Sequence, residues 1–172
     1  MRRVTRLLAA LAIAAAAGSF WGCNEQLDDP LVAEGILTIE KILPASVQAD
    51  VTPFDPNGVN PTPLTDDTTT VTVKNRPRTA DAGAFSDIFI QKSEQYCTFA
   101  GATITSGRGT ASFTIPSGSS ATVVITAVTV SEKSLAAQGD SWKCYVRFLG
   151  DDVSGNPAVS EWGSYMINFV DE

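Results

Sequence analysis

The chain has 172 residues, 44% of them hydrophobic, which is enough for a single domain with a real core. Nineteen Asp and Glu against twelve Lys and Arg leave a formal net charge of −7, a balance that argues against nucleic acid and against direct docking on anionic lipid. The absence of histidine excludes Ser-His-Asp and Cys-His catalysis, His-bearing zinc sites and c-type haem, and three cysteines are too few for a four-cysteine metal site.

The amino terminus reads as an address. Arg2, Arg3 and Arg6 precede an apolar run of eleven residues, 7–17, and small residues follow before Cys23. A membrane-spanning helix needs about twenty apolar residues, so the run is expected to be a signal h-region. The segment Phe20-Trp21-Gly22-Cys23 resembles the lipobox of bacterial lipoproteins at Gly22 and Cys23, while Phe20 stands in place of the usual Leu and Trp21 in place of a small residue. The resemblance implies a signal peptide over 1–22 and acylation (palmitate among the chains) of Cys23. It also implies an exported protein lipid-anchored to the bacterial envelope, with the outer membrane as the expected site. More than one acyl chain makes such anchoring stable. The alternative is ordinary cleavage nearby, leaving Cys23 as a free thiol. Removal of 1–22 would take three arginines and leave 150 residues with nine Lys and Arg against nineteen Asp and Glu, a net charge of −10.

Residues 23–35 are polar and acidic and read as a tether, with the folded domain expected over 36–172. Residues 36–43 are the first strand candidate, stopped by Pro44. Residues 48–67, with Pro53, Pro56, Pro61 and Pro63, read as one long surface loop. Residues 68–75 alternate β-branched and polar residues and predict a strand, as do 87–99, with an interruption near Ser93. Residues 101–110 read as a loop. Residues 111–115 are expected to pair with 121–130 in a hairpin, and the apolar run 121–130 is expected to be a central strand. A helical turn is expected near 135–138. Residues 142–149 alternate, with Trp142, Cys144, Val146 and Phe148 on the inward face. Residues 158–170 form the closing strand, with Tyr165, Ile167 and Phe169 on one face. About seven short strands without a long helix predict an all-β fold, a single antiparallel β-sandwich.

Cys97 and Cys144 both lie in strand patterns of an exported chain, and a structural disulfide is expected. It would close a loop of 47 residues, worth about 4 kcal/mol in the chain-entropy model. Two buried free thiols and a redox pair are the alternatives, and the second lacks the usual C-x-x-C spacing. The pair also resembles the inter-sheet bridge of immunoglobulin-like sandwiches, although the only nearby Trp is Trp142, two residues before Cys144, and no tyrosine corner is present. Residues 152–156 resemble the D-x-x-G-N turn between the last two strands of bacterial Ig-like and fibronectin-type repeats. In such a turn Gly155 and Asn156 supply positive φ and Asp152 hydrogen-bonds backbone amides. The chain as a whole resembles small uncharacterised lipoproteins of Gram-negative bacteria that carry an Ig-like or fibronectin-type sandwich, which implies no activity.

Oxygen-rich turns at Asp151, Asp152 and Asn156, and at Asp50, Asp55 and Asn57 with Asp66 and Asp67, are candidates for calcium, although neither fits the EF-hand register. Gly107-Arg108-Gly109 lacks the register of a phosphate loop and reads as a loop tip. Trp142 reads as core. Trp162, beside Glu161 and Gly163, either packs on the sheet or stands exposed, where it would stack on a sugar or a protein partner. The expected function is non-catalytic: an envelope lipoprotein binding a protein or polysaccharide partner through the loops 51–63 and 101–109, with Asp55, Asn57 and Arg108, and through the region of Trp162. A structural subunit that pairs through an edge strand is the alternative, and a hydrolase, resting only on abundant carboxylates, a distant one.

Overall fold

The computed structural model describes residues 33–52, 63–80 and 83–171. Cys23, Asp55 and Asn57, together with the signal segment and most of the tether and of the loop 51–63, lie outside the described residues. Among the described residues there are nine strands: β1 (Gly35–Leu43), β2 (Ser46–Asp50), β3 (Asp67–Pro77), β4 (Ile88–Phe99), β5 (Ala102–Ile115), β6 (Ser120–Val128), β7 (Ser141–Asp152), β8 (Pro157–Val159) and β9 (Gly163–Val170). One short helix, α1 (Val130–Lys133), and a 3-10 turn (Gly83–Ser86) complete the described elements. Among the described residues no helix is long and apolar enough to cross a membrane.

The strands form two packed sheets, as the sandwich expectation required. The smaller has the order β1-β3-β6 and the larger β2-β9-β7-β4-β5, with β8 beside β7. The pairs are antiparallel except β2 with β9, which is parallel. Alternation supplies the core. Val71 and Val73 of β3 face Ile88, Ile90, Val146, Phe148, Ile167 and Phe169 of the larger sheet, all buried. Trp142 packs edge-on against Phe169 with ring centroids 4.6 Å apart. Burying side chains of this size stabilises by about 1.5–3 kcal/mol each.

Buried polar groups tie the layers together. Asn75 of β3 donates through Nδ2 to the carbonyls of Ser86 (2.6 Å) and Ile115 (3.0 Å), so one side chain joins the smaller sheet to the end of β5. The Tyr165 hydroxyl lies 3.3 Å from both Gln95 Oε1 of the larger sheet and the Ala127 carbonyl of the smaller. Lys133, 2% exposed, meets Asp67 at 2.7 Å. Thr129 and Glu132 close a capping box at the start of α1, and Asp66 accepts from the Val130 amide at 2.8 Å.

Several expectations are corrected. Residues 101–110 are the first part of β5, a 14-residue strand paired with β4, so Arg108 occupies a strand position opposite Glu94 and not a loop tip. Residues 111–115 and 121–128 do not form a hairpin. The turn that begins at Pro116 carries the chain from the larger sheet to the smaller, because β5 pairs with β4 and β6 with β3. The run read as a central strand is therefore an edge, and Val124 is 64% exposed. Gln48, Ala49 and Asp50, read as loop, belong to β2, whose Val47 and Ala49 are buried against the parallel partner β9. The interruption expected near Ser93 is present: the register of β4 shifts between Ile90 and Lys92. The helical turn lies at 130–133. Ala33, assigned to the tether, is a core residue, and its carbonyl accepts from Arg78 Nε at 2.7 Å. The closing strand is broken into β8 and β9, which has a consequence for the site.

Candidate ligand-binding face

The Cys97–Cys144 disulfide forms, but not across the sandwich. The two cysteines are register neighbours on β4 and β7, so the bridge lies within the larger sheet, on its inward face. Its position determines the next row. Tyr96 stands opposite Tyr145, on the outward face, and the rings stack with centroids 4.7 Å apart and planes 15° apart. One row further, Glu94 stands opposite Arg147, whose Nε (2.8 Å) and Nη2 (2.6 Å) both donate to Glu94 Oε2.

Trp162 joins this row because of the break between β8 and β9. Both of those strands pair with β7, and the chain leaves the ladder between them. Ser160 holds the gap: its amide donates to the Phe148 carbonyl and its hydroxyl accepts from the Phe148 amide, each at 2.9 Å. A side-chain oxygen thus takes the place of a ladder carbonyl, and the released segment projects Trp162 outward. Its ring is perpendicular to Tyr96 (centroids 4.9 Å, 82°) and carries the Arg147 guanidinium at 4.5 Å. Trp162 is 39% exposed, whereas Trp142 is 1% exposed. Lys143 Nζ lies 5.3 Å from the Tyr145 ring on the other side of the cluster. Beside Tyr96 the strand β5 offers Ser106 and Gly107, and the open depression there, about 510 Å³, is lined also by Glu94, Gln95, Arg147 and Trp162.

Trp162 thus combines the two alternatives: its ring packs on Tyr96 and Arg147 of the sheet and is still 39% exposed. Of the other expected surface residues, Arg108 stands at the register position next to this face. Trp142 is core, as expected. Sequence reasoning did not select Tyr96, Tyr145 or Arg147.

The calcium candidates Asp66, Asp67, Asp151, Asp152 and Asn156 are engaged by the protein itself. Burial (6% exposed) works to raise the pKa of the Asp152 carboxyl, but hydrogen bonds outweigh it and hold the group below the usual carboxylate range. The Asn156, Glu34 and Ser154 amides and Asn156 Nδ2 all donate to it. Asp152 therefore closes the turn and joins it to the start of β1, as the turn resemblance implied. Gly155 has the positive φ, 84°, that the turn needs, and Asn156 does not share it. Asp151 accepts from Gln91 Nε2. Asp66 and Asp67 are committed to α1, as described above. Among the described residues no group of three or more Asp, Glu, Cys or His side chains converges as a metal site.

No family model matches the chain and no curated protein matches it. Three solved structures show a loose likeness. The structural-genomics target SoR45 aligns at a TM-score of 0.44 with 10% identity, over 81% of this chain and 89% of that one. A putative late embryogenesis abundant protein aligns at 0.41 with 15% identity, over 96% and 88%. The sporulation control protein Spo0M from Bacillus subtilis aligns at 0.39 with 14% identity, over 80% of this chain and about half of that one, 49%. None is similar enough to carry a functional argument, so the reading below rests on the site.

Proposed function

We propose that the protein is an exported lipoprotein, held to the envelope through acylated Cys23, that presents a non-catalytic sandwich for binding a polysaccharide. The observation that carries the reading is the outward cluster of Tyr96 on β4, Tyr145 on β7 and Trp162 on the segment between β8 and β9. Tyr96, half-buried, and Trp162, 39% exposed, line the open depression and offer flat apolar surface with polar rims, which suits the C–H faces and hydroxyls of sugar rings. The strands hold these side chains before any ligand arrives, so little ordering cost remains. The test is retention on immobilised envelope polysaccharide: Trp162→Ala should weaken it about tenfold, the worth of one aromatic contact. Retention unchanged in that variant contradicts the reading. Acylation is tested separately by metabolic labelling with palmitate, which should be lost in Cys23→Ser.

A second reading, a structural subunit, is favoured by one observation. Among the described residues β5 and β6 have no outer neighbour, and both edges lie on the same side of the sandwich. Such edges accept strands from other chains. Val124→Lys on β6 should abolish assembly if this reading holds and leave polysaccharide retention intact if the first does.

A further inference from the structure

The charges around the aromatic row go further than its shape, and the inference from them rests on the reading above. The domain is acidic overall, yet this face is not. Along the outward register of β4 and β7 stand Lys92, Glu94 and Tyr96 on one strand and Lys143, Tyr145 and Arg147 on the other. Arg108 holds the register position opposite Glu94 on β5. Lys92, Lys143 and Arg147, three of the nine cations left beyond the signal segment, therefore stand on this face. The carboxylates there are Glu94, which is bound to Arg147, Glu161 beside Trp162, and Asp151 at the far end of β7. Lys92 and Lys143 have no carboxylate partner among the described residues. Elsewhere Lys74 is paired with Glu40 and Lys133 with Asp67.

The order along the strands matters as well. Lys143 lies one step of the ladder beyond the tyrosine row, Arg147 one step on the other side, and Lys92 one step further. Each step covers two residues, about 7 Å, so the two unpaired lysines bracket the aromatic row over about 20 Å. That span suits an extended polymer better than a single small molecule. Net charge does not forbid an anionic ligand here, because fields at physiological salt decay over about 8 Å and the ligand meets the local patch.

The geometry points to an anionic polysaccharide, a polymer of carboxylate-bearing sugars, as the occupant of this face. The ring surface left open takes sugar faces, and Lys92 and Lys143 take carboxylates on the units to either side. An acidic polypeptide would satisfy the lysines but would not use the tyrosine and tryptophan rings.

The test is calorimetric titration of the intact protein with polygalacturonate, a neutral β-glucan and polyglutamate. Polygalacturonate should bind best and lose affinity as salt rises. The Lys92→Gln/Lys143→Gln variant should lose about tenfold of that affinity, the worth of two exposed charge contacts, and keep its thermal midpoint because both side chains are at the surface. Equal binding of the neutral glucan, or unchanged affinity in the double variant, overturns the anionic ligand while leaving the polysaccharide reading in place. Equal or tighter binding of polyglutamate makes the occupant an acidic protein and also overturns it. Binding of none of the three probes removes both the inference and the reading beneath it.

Discussion

The two faces of the pair β4–β7 are made from the same residues in alternation and do opposite things. On the inner face Cys97–Cys144, Val146 and Phe148 are sealed in the core. On the outer face the intervening rows hold the tyrosine stack and the Arg147–Glu94 pair, with Trp162 against both. The inner face therefore determines where the outer side chains stand, because a register locked by a covalent bridge in one row is locked in the next. Stability and binding are stored one residue apart.

The largest separation of the two faces should come from the two tryptophans. Trp142→Ala empties a buried site against Phe169 and should cost about 4 kcal/mol in urea denaturation. Trp162→Ala on the outer face should cost less than about 1 kcal/mol and fall on binding instead. Comparable losses of stability from both would erase the distinction. Next comes the bridge. Replacing Cys97 and Cys144 together by Ala should cost about 4 kcal/mol. It should also weaken the near-ultraviolet circular dichroism of the tyrosine pair, and an unchanged spectrum would uncouple the faces. Asn75→Leu strands the Ser86 and Ile115 carbonyls inside the sandwich and should cost about 2 kcal/mol, with the outer face unaffected.

The smallest effect is on pH. The Asp152 carboxyl titrates below its ordinary value in the folded chain, so its contribution is present above the unfolded value of about 3.9 and is lost as pH falls through the folded value. Urea midpoints should drop between pH 5 and pH 3, and the drop should be shallower in Asp152→Asn. An identical pH profile in the variant would mean that the turn does not depend on the charge.

Much of this frame was legible in the residues. The Thr/Val alternation of β3 and the alternation of Trp142, Cys144, Val146 and Phe148 in β7 announced both their strands and their inward faces. What stayed hidden depended on distant partners. The strand β2 has five residues and a parallel partner more than a hundred positions away, so nothing local marks it. Gly107 and Gly109 made half of β5 look like a loop; in the fold a Cβ at Gly109 would stand 2.7 Å from Ser93 Oγ, so the glycine permits close approach within a strand. The turn starting at Pro116 carries the same residue types whether it returns within a sheet or crosses between sheets. The apolar run of β6 suits a central strand as well as an edge, because hydrophobicity does not reveal how many neighbours a strand has. The aromatic cluster was within reach: if Cys97 and Cys144 are read as register neighbours on antiparallel strands, Tyr96 and Tyr145 must stand side by side. The inter-sheet resemblance hid that step.

The most direct test of the central claim follows the indole N–H resonances of Trp142 and Trp162 by NMR while polygalacturonate is added. Binding at the outer face predicts a saturable shift of Trp162 with Trp142 still. A ligand that binds while Trp162 does not move, with changes confined to the amides of β5 and β6, would contradict it.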